Sequence, residues 1–303
     1  MSFKNANWSK FLFVSDALDP EKIYVREFTG HEEISGLYTF DILLEVHIDN
    51  IVIEDVINRK ATLYLYRENE FCSYSGFIAT FEFVRSTVDY LMYRVILRPN
   101  FWKLTLTKQC RIFQKVTIPE IIKEVLNTSG INGPYRINVS SGTYPEQEYV
   151  VQYNESDFNF ILRLMDKTGM WYFFEEPVTS ADSLPAVTNE EKLIITDSAS
   201  DFSDISATNI IKFRTLSGMV KEINNEESDI VYELEMCRNS IPEKVAVKNY
   251  NYRTPDIDLE FEKDVPDADL GTIYEYGGNY QNSVFFLIRP ILNRRSRCLT
   301  SIH

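Results

Sequence analysis

The chain has 303 residues, 44% of them hydrophobic and 25% charged, with a formal net charge of −14. That composition suits a globular protein with a real core, and the length fits about two domains. The acidic balance argues against broad nucleic-acid binding, which needs clustered Lys and Arg against phosphates. No apolar run approaches the roughly 20 residues of a membrane-spanning helix.

The first segment, MSFKNANWSKFLFVSD, lacks an apolar stretch followed by a small-residue cleavage site. The expectation is therefore synthesis in the cytoplasm without a secretory leader. GHEEISGLYTFDILL reads as a turn feeding a strand. KATLYLYRE alternates, with Ala61, Leu63 and Leu65 on one face and Thr62, Tyr64 and Tyr66 on the other. GFIATFEFVRS and YLMYRVILRP follow across the short break STVD. Their β-branched and aromatic residues predict an antiparallel barrel or sandwich over the first hundred residues.

A helix is predicted at TIPEIIKEVLNTSG. Thr117 and Glu120 form a capping box, Pro119 fits the first turn, and Gly130 ends the helix. Ile121, Ile122, Val125 and Leu126 make its apolar face. A second helix is predicted over Ser156–Lys167, capped by Asn154 or Ser156 and stopped by Gly169. Its apolar positions are Phe158, Ile161, Leu162 and Met165. MWYFFE then reads as a buried strand, PVTSADSLPAVTNEE as a polar loop and KLIITDS as a strand ending in a turn. VAVKNYNYRTPDIDLEFEKDVPDADLG reads as a strand followed by an acidic, proline-punctuated loop. GTIYEYGGN is a strand followed by a glycine turn.

Chemistry is sparse. GxGxxG, GxxxxGK[ST], HExxH and GxSxG are all missing from the sequence. Cys72, Cys110, Cys237 and Cys298 are scattered without a CxxC pair, which predicts buried, reduced thiols. His31 and His47 have no second histidine at ligand spacing and read as surface residues. The acids Glu155, Asp157, Asp166 and Glu175 crowd one aromatic stretch. Catalysis by paired carboxylates needs them to converge on a cleft. Helical spacing sets Asp157 and Asp166 on opposite sides. Asp157 suits the helix dipole, and Glu155 or Asp166 can pair with Arg163 or Lys167. No catalytic, cofactor-binding or metal-ligating residue is assigned, and no cofactor is expected. Charge is uneven: Arg85 to Lys115 holds seven bases and one acid, and Asp256 to Glu275 holds eight acids and one base. Complementary segments of this kind can steer docking or self-assembly.

Five blocks in fixed order carry a family resemblance. ILRPNFWKLTLTKQCRIFQKVTIPEIIKEVL resembles the VgrG stretch in which LRP and a tryptophan lead to RIFQ and a helix. QYNESDFNFILRLMDKTGMWYFFE is similar to the ESDF signature of the same family, and KLIITDS, NYNYRTP and YEYGGNY to its later blocks. Gly277 stands where the family block has proline. VgrG proteins form the tip of the type VI secretion system and are related to contractile phage tail hubs. The resemblance implies a mainly β fold with an α+β insertion: a tail-hub-like chain with two related antiparallel β-barrels. On that pattern residues 1–105 are the first barrel, 106–205 the α/β insertion and 206–303 an incomplete second barrel. From about residue 284 a basic tail departs from the family. The implied protein is a structural hub or spike base, not an enzyme. It would dock as a homotrimer on an Hcp-like hexameric tube, with spike-tip and effector proteins as further partners, and be delivered outside the cell by the contractile apparatus. The alternatives are a phage or tailocin tail hub, a peptidoglycan-acting glycosidase, or a carbohydrate-binding β-barrel suggested by abundant tyrosine and tryptophan, although 18 tyrosines and 20 phenylalanines serve strand cores equally well.

Overall fold

The computed structural model describes residues 10–48, 51–67, 70–131, 134–140, 144–175, 178–180, 187, 191–202, 212–213, 230–231, 233–235, 240–265 and 270–277. Strands dominate. The first six are β1 (Phe11–Ser15), β2 (Ile23–His31), β3 (Thr39–Val46), β4 (Lys60–Arg67), β5 (Glu70–Ser86) and β6 (Leu91–Arg98). Between β3 and β4 lies the single turn α1 (Ile53–Val56), whose Val56 enters the core.

These strands form one sheet in the order β1-β4-β5-β6-β3-β2, antiparallel throughout. The sheet curls until its two ends meet, where Phe11 of β1 stands edge-on to Phe28 of β2 with centroids 5.0 Å apart. Phe13, Ile42, Leu44, Leu63, Ile78 and Leu97 fill the interior. Each such side chain contributes about 1.5–3 kcal/mol relative to exposure. The alternation read in KATLYLYRE holds, but both faces are covered: Thr62 and Tyr64 are buried as deeply as Ala61 and Leu63. Thr62 and Ser75 share a hydroxyl–hydroxyl hydrogen bond of 3.2 Å across β4 and β5. At Gly76 an added Cβ would lie 2.1 Å from the Arg98 carbonyl oxygen, so only glycine lets β5 approach the end of β6.

A 3-10 segment, Asn100–Thr105, leads out of this sheet. It is followed by β7 (Lys108–Phe113), α2 (Ile118–Thr128), β8 (Tyr135–Asn138), β9 (Val150–Ser156), α3 (Asp157–Thr168), β10 (Trp171–Glu175), β11 (Val178–Ser180) and β12 (Lys192–Thr196). The order β10-β12-β8 makes a small mixed sheet, and β7 and β9 make a separate antiparallel ribbon. Both helices fall where the sequence places them. The Thr117–Glu120 capping box is formed, with the Thr117 amide donating to Glu120 Oε2 at 2.9 Å. Gly130 follows the helix in the left-handed region at φ 73°. Ser156, rather than Asn154, caps α3 by accepting from the Asn159 amide at 3.1 Å.

Three details differ from the sequence reading. The fully buried stripe of α3 is Phe160, Ile161, Leu164 and Met165, while Phe158 and Leu162 sit half-buried at its margin. The core wraps further round the helix than one narrow face. In MWYFFE only Met170 and Tyr172 are buried, because the strand covers the core with one side only. The polar loop after Glu175 contains β11, which pairs antiparallel with β5 of the first sheet.

Beyond this unit lie β13 (Lys212–Phe213) and β14 (Ile230–Val231), a short parallel pair. They are followed by β15 (Lys244–Asn249), β16 (Leu259–Asp264) and β17 (Thr272–Tyr276), ordered β16-β15-β17. β15 pairs antiparallel with β16 and parallel with β17. Part of the acidic loop read from sequence is therefore strand: in LEFEKD Leu259 and Phe261 alternate with Glu260 and Glu262, and both apolar residues join a small core with Val245 and Val247. Gly277 closes β17 at φ 91°. Gly278, the basic tail from 284 onward and most of the expected second barrel lie outside the described residues.

Candidate functional site

The four crowded acids part company in three dimensions. Asp157 is completely buried at the first turn of α3. Its carboxylate accepts from Arg111 on β7 at 3.1 Å and from Gln152 on β9 at 2.7 Å. The Ser129 hydroxyl at the end of α2 donates to it at 2.8 Å. Its own amide donates to the Thr107 carbonyl at 3.0 Å. One carboxylate thus ties both helices and both ribbon strands together, going beyond the dipole role expected of it. Glu155 pairs with exposed Arg163 at 2.5 Å, as spacing suggested. Asp166 is exposed on the far side of α3. Glu175 pairs with Lys192 across β10 and β12. A carboxylate closed to solvent and held by an arginine, an amide and a hydroxyl is placed to organise the fold rather than to meet a substrate.

A fifth acid escaped the sequence reading. Glu191, 8% exposed, sits under the start of the 3-10 segment. It accepts from the Asn100 amide at 2.6 Å, the Asn100 side chain at 3.0 Å and the Phe101 amide at 3.5 Å. Burial pushes its pKa up to about 7, against the opposing pull of those donors and of Lys103. The adjoining cleft, lined by Ile131, Pro134, Tyr135 and Leu193, offers about 10 Å³, room for a single water and no substrate.

Among the described residues no three His, Cys, Asp or Glu side chains gather at metal-binding spacing. His31 and His47 lie at the surface, and His47 Nε2 meets Glu45 at 2.7 Å. The expectation of buried thiols is corrected for two cysteines: Cys72 is half-buried and Cys110 is exposed on the bulge of β7. Cys237 and Cys298 lie outside the described residues. Among the described residues no helix is long and apolar enough to cross a membrane.

Glu155, Asp157, Glu175 and Glu191 are engaged within the chain, so the informative places are surfaces. The ribbon turns Phe113, Val150 and Gln152 inward and leaves Ile112 (62% exposed), Tyr149 (50%) and Tyr153 (79%) outward. Exposed Lys108 and Lys115 stand at the two ends of β7. The other bases of the expected patch are largely engaged within the chain. Arg94 pairs with Asp41, Arg98 stacks over Trp102, the Lys103 ammonium lies 4.4 Å over Phe77, and Arg111 holds Asp157. On the last sheet, register puts Glu260, Glu262 and Asp264 of β16 beside Lys244, Ala246 and Lys248 of β15 and Thr272, Tyr274 and Tyr276 of β17. Lys244–Glu262 and Lys248–Glu260 form ion pairs of 3.0 and 2.5 Å on that face. All five residues of β17 are exposed. The chain leaving β15 adds Tyr250 and Tyr252, with Asp256 and Asp258 near the start of β16. Arg253 in this turn reaches Glu148 at 2.6 Å, joining the sheet to the entrance of β9.

Comparison with protein families places residues 31–285 in one description, the phage tail baseplate hub. The chain belongs to that family. The hub chain is similar to the type VI secretion system spike protein VgrG1c of Pseudomonas aeruginosa, 26% identical over 282 residues. That alignment covers 91% of this chain and 36% of the relative, so the hub chain spans about a third of the relative's length. Among solved structures, an E. coli protein described as a component of the type VI secretion system, with similarity to T4 phage tail proteins, matches with a TM-score of 0.52 and 25% identity. The match covers 64% of the hub chain and 52% of that structure. A tail protein from Neisseria meningitidis matches with a TM-score of 0.50 at 10% identity, covering 90% and 73%, and shows the shared fold. The VgrG resemblance read from the five blocks stands, as does the mainly β, tail-hub-like fold class.

Proposed function

We propose that this chain is the hub, or spike base, of a type VI secretion apparatus and acts by assembly rather than catalysis. Similarity to type VI spike proteins over 91% of the chain carries the reading. Acids spent on internal bonds support a non-enzymatic role. On this reading three copies close a ring that seats on an Hcp-like tube, with spike-tip and effector proteins beyond it. The division into a first barrel (1–105), an insertion (106–205) and a second barrel (206–303) belongs to the same proposal. The chain would leave the cell only as part of the contractile apparatus.

The test is genetic and physical. In a bacterium whose own spike genes are deleted, expression of this chain within a full-length spike protein should restore Hcp in the medium, and the purified protein should have trimer mass. Hcp absent from the medium and a monomeric protein at every concentration would refute the assignment. The phage or tailocin hub is the second reading, favoured by the family description itself. Pull-down with Hcp against pull-down with a phage tube protein separates the two.

A further inference from the structure

We infer that two surfaces of this chain meet between neighbouring copies: the outward face of the β7–β9 ribbon on one, and the tyrosine-bearing face of the last sheet on the next. The inference rests on the assembly reading above. Each surface is incomplete by itself. The ribbon is an isolated two-stranded sheet, and it exposes Ile112 and Tyr153 by 62% and 79%. Such a ribbon is marginal unless something packs on it, and its inner side alone is packed here. On the last sheet, β17 is the edge strand among the described residues, and its Tyr274 and Tyr276 are 56% and 63% exposed.

The chemistry of the two faces is complementary. Parallel β15 and β17 finish at the same end of the sheet, which brings Tyr276 near the turn bearing Tyr250 and Tyr252. Tyrosine supplies a large contact area at low entropy cost and a hydroxyl for the rim, the composition of interface centres. The rim of this corner carries exposed Asp256 and Asp258, while Arg253 in the same turn is held by Glu148 and Tyr252. The rim of the ribbon carries exposed Lys108 and Lys115, and of the acids beside Lys115 Glu148 is already taken by Arg253. Apolar centres supply the affinity and opposite rims fix the register. Two different patches meeting head to tail generate a ring when the rotation closes, the symmetry a trimer requires. Glu260 and Glu262 are already used by Lys248 and Lys244, whereas Asp256 and Asp258 are exposed in the segment that follows the tyrosine turn.

A charge swap on the full chain tests this. K108E with K115E, and separately D256K with D258K, should each weaken self-association roughly tenfold by sedimentation. Combining all four substitutions should restore it, which also shows that each altered chain still folds. Y153E and Y276E should each abolish association while leaving the circular dichroism spectrum unchanged. Trimers indifferent to every one of these substitutions would overturn the pairing and leave the hub reading standing. A chain that never self-associates would overturn the hub reading and the pairing together. Binding of glycans to the tyrosine corner, with no effect of Y276E on mass, would reassign that face to carbohydrate and also overturn the pairing.

Discussion

The α/β unit between β7 and β12 and the last sheet, β15 to β17, are both rich in acids, yet they treat them in opposite ways. The first buries Asp157 and Glu191 and surrounds each with donors from several elements. The second lays Glu260, Glu262 and Asp264 along an open strand, paired only with neighbouring lysines. A buried carboxylate with satisfied partners organises a fold, because losing one partner strands a charge in a poor solvent. An exposed one contributes little to stability and is free to serve a surface. The crowded acids of the ESDF stretch belong to the first kind.

The largest test of that contrast is Asp157→Ala. It should cost about 3–5 kcal/mol by urea denaturation, since it leaves Arg111, Gln152 and Ser129 without their shared acceptor. Asp157→Asn should cost less than Ala and leave peptidoglycan and glycan turnover at background. Turnover present in the wild type and lost in Asp157→Asn would convert the structural carboxylate into a catalytic one.

Glu191 gives the next effect, one of pH. In the folded chain its carboxyl keeps its proton up to about pH 7, whereas the unfolded chain releases it near ~4.3. Folding therefore takes up a proton between those values. Its stability contribution is fully present below the lower value and is lost as pH rises towards 7. The chain should be about 2–3 kcal/mol less stable at pH 8 than at pH 4.5 through this group, an effect that Glu191→Gln should flatten. A wild-type stability curve without that descent would show that the donors outweigh burial.

Thr117→Ala should cost about 1 kcal/mol by removing half of the capping box of α2. Glu262→Gln should change stability by less than about 1 kcal/mol, because its partner Lys244 is exposed. A cost for Glu262→Gln comparable to that for Asp157→Ala would erase the distinction between the two regions.

Local signals were legible and remote ones were not. The helices announce themselves through Thr117, Glu120, Ser156, Gly130 and Gly169, each acting within a few residues of its own position. The partners of Asp157 come from positions 111, 129 and 152, and no periodicity links them. Glu191 closes a polar loop in sequence and is buried where residues from remote positions, among them Asn100, Ile131 and Tyr135, come together around it. LEFEKD did carry a readable alternation, masked by the prolines and acids on either side. Likewise the basic run of Arg85 to Lys115 reads as a patch in one dimension, but the fold spends Arg94, Arg98, Lys103 and Arg111 on separate neighbours.

The order of the first sheet also sets an order of assembly. β2 with β3, and β4 with β5 and β6, are neighbours in sequence and can pair as soon as their turns form. The ladders β1–β4 and β3–β6 join segments tens of residues apart, as in Phe11 with Leu65 and Phe40 with Leu97. Their loop closures must precede any reward from the contacts they make. The sheet should thus emerge as two quick local pieces followed by slow joining steps, β1 onto β4 and β3 onto β6. Until β3 docks, β6 has a bare edge bearing Val95 and Leu97, so crowding of nascent chains at that moment is the hazard this topology carries.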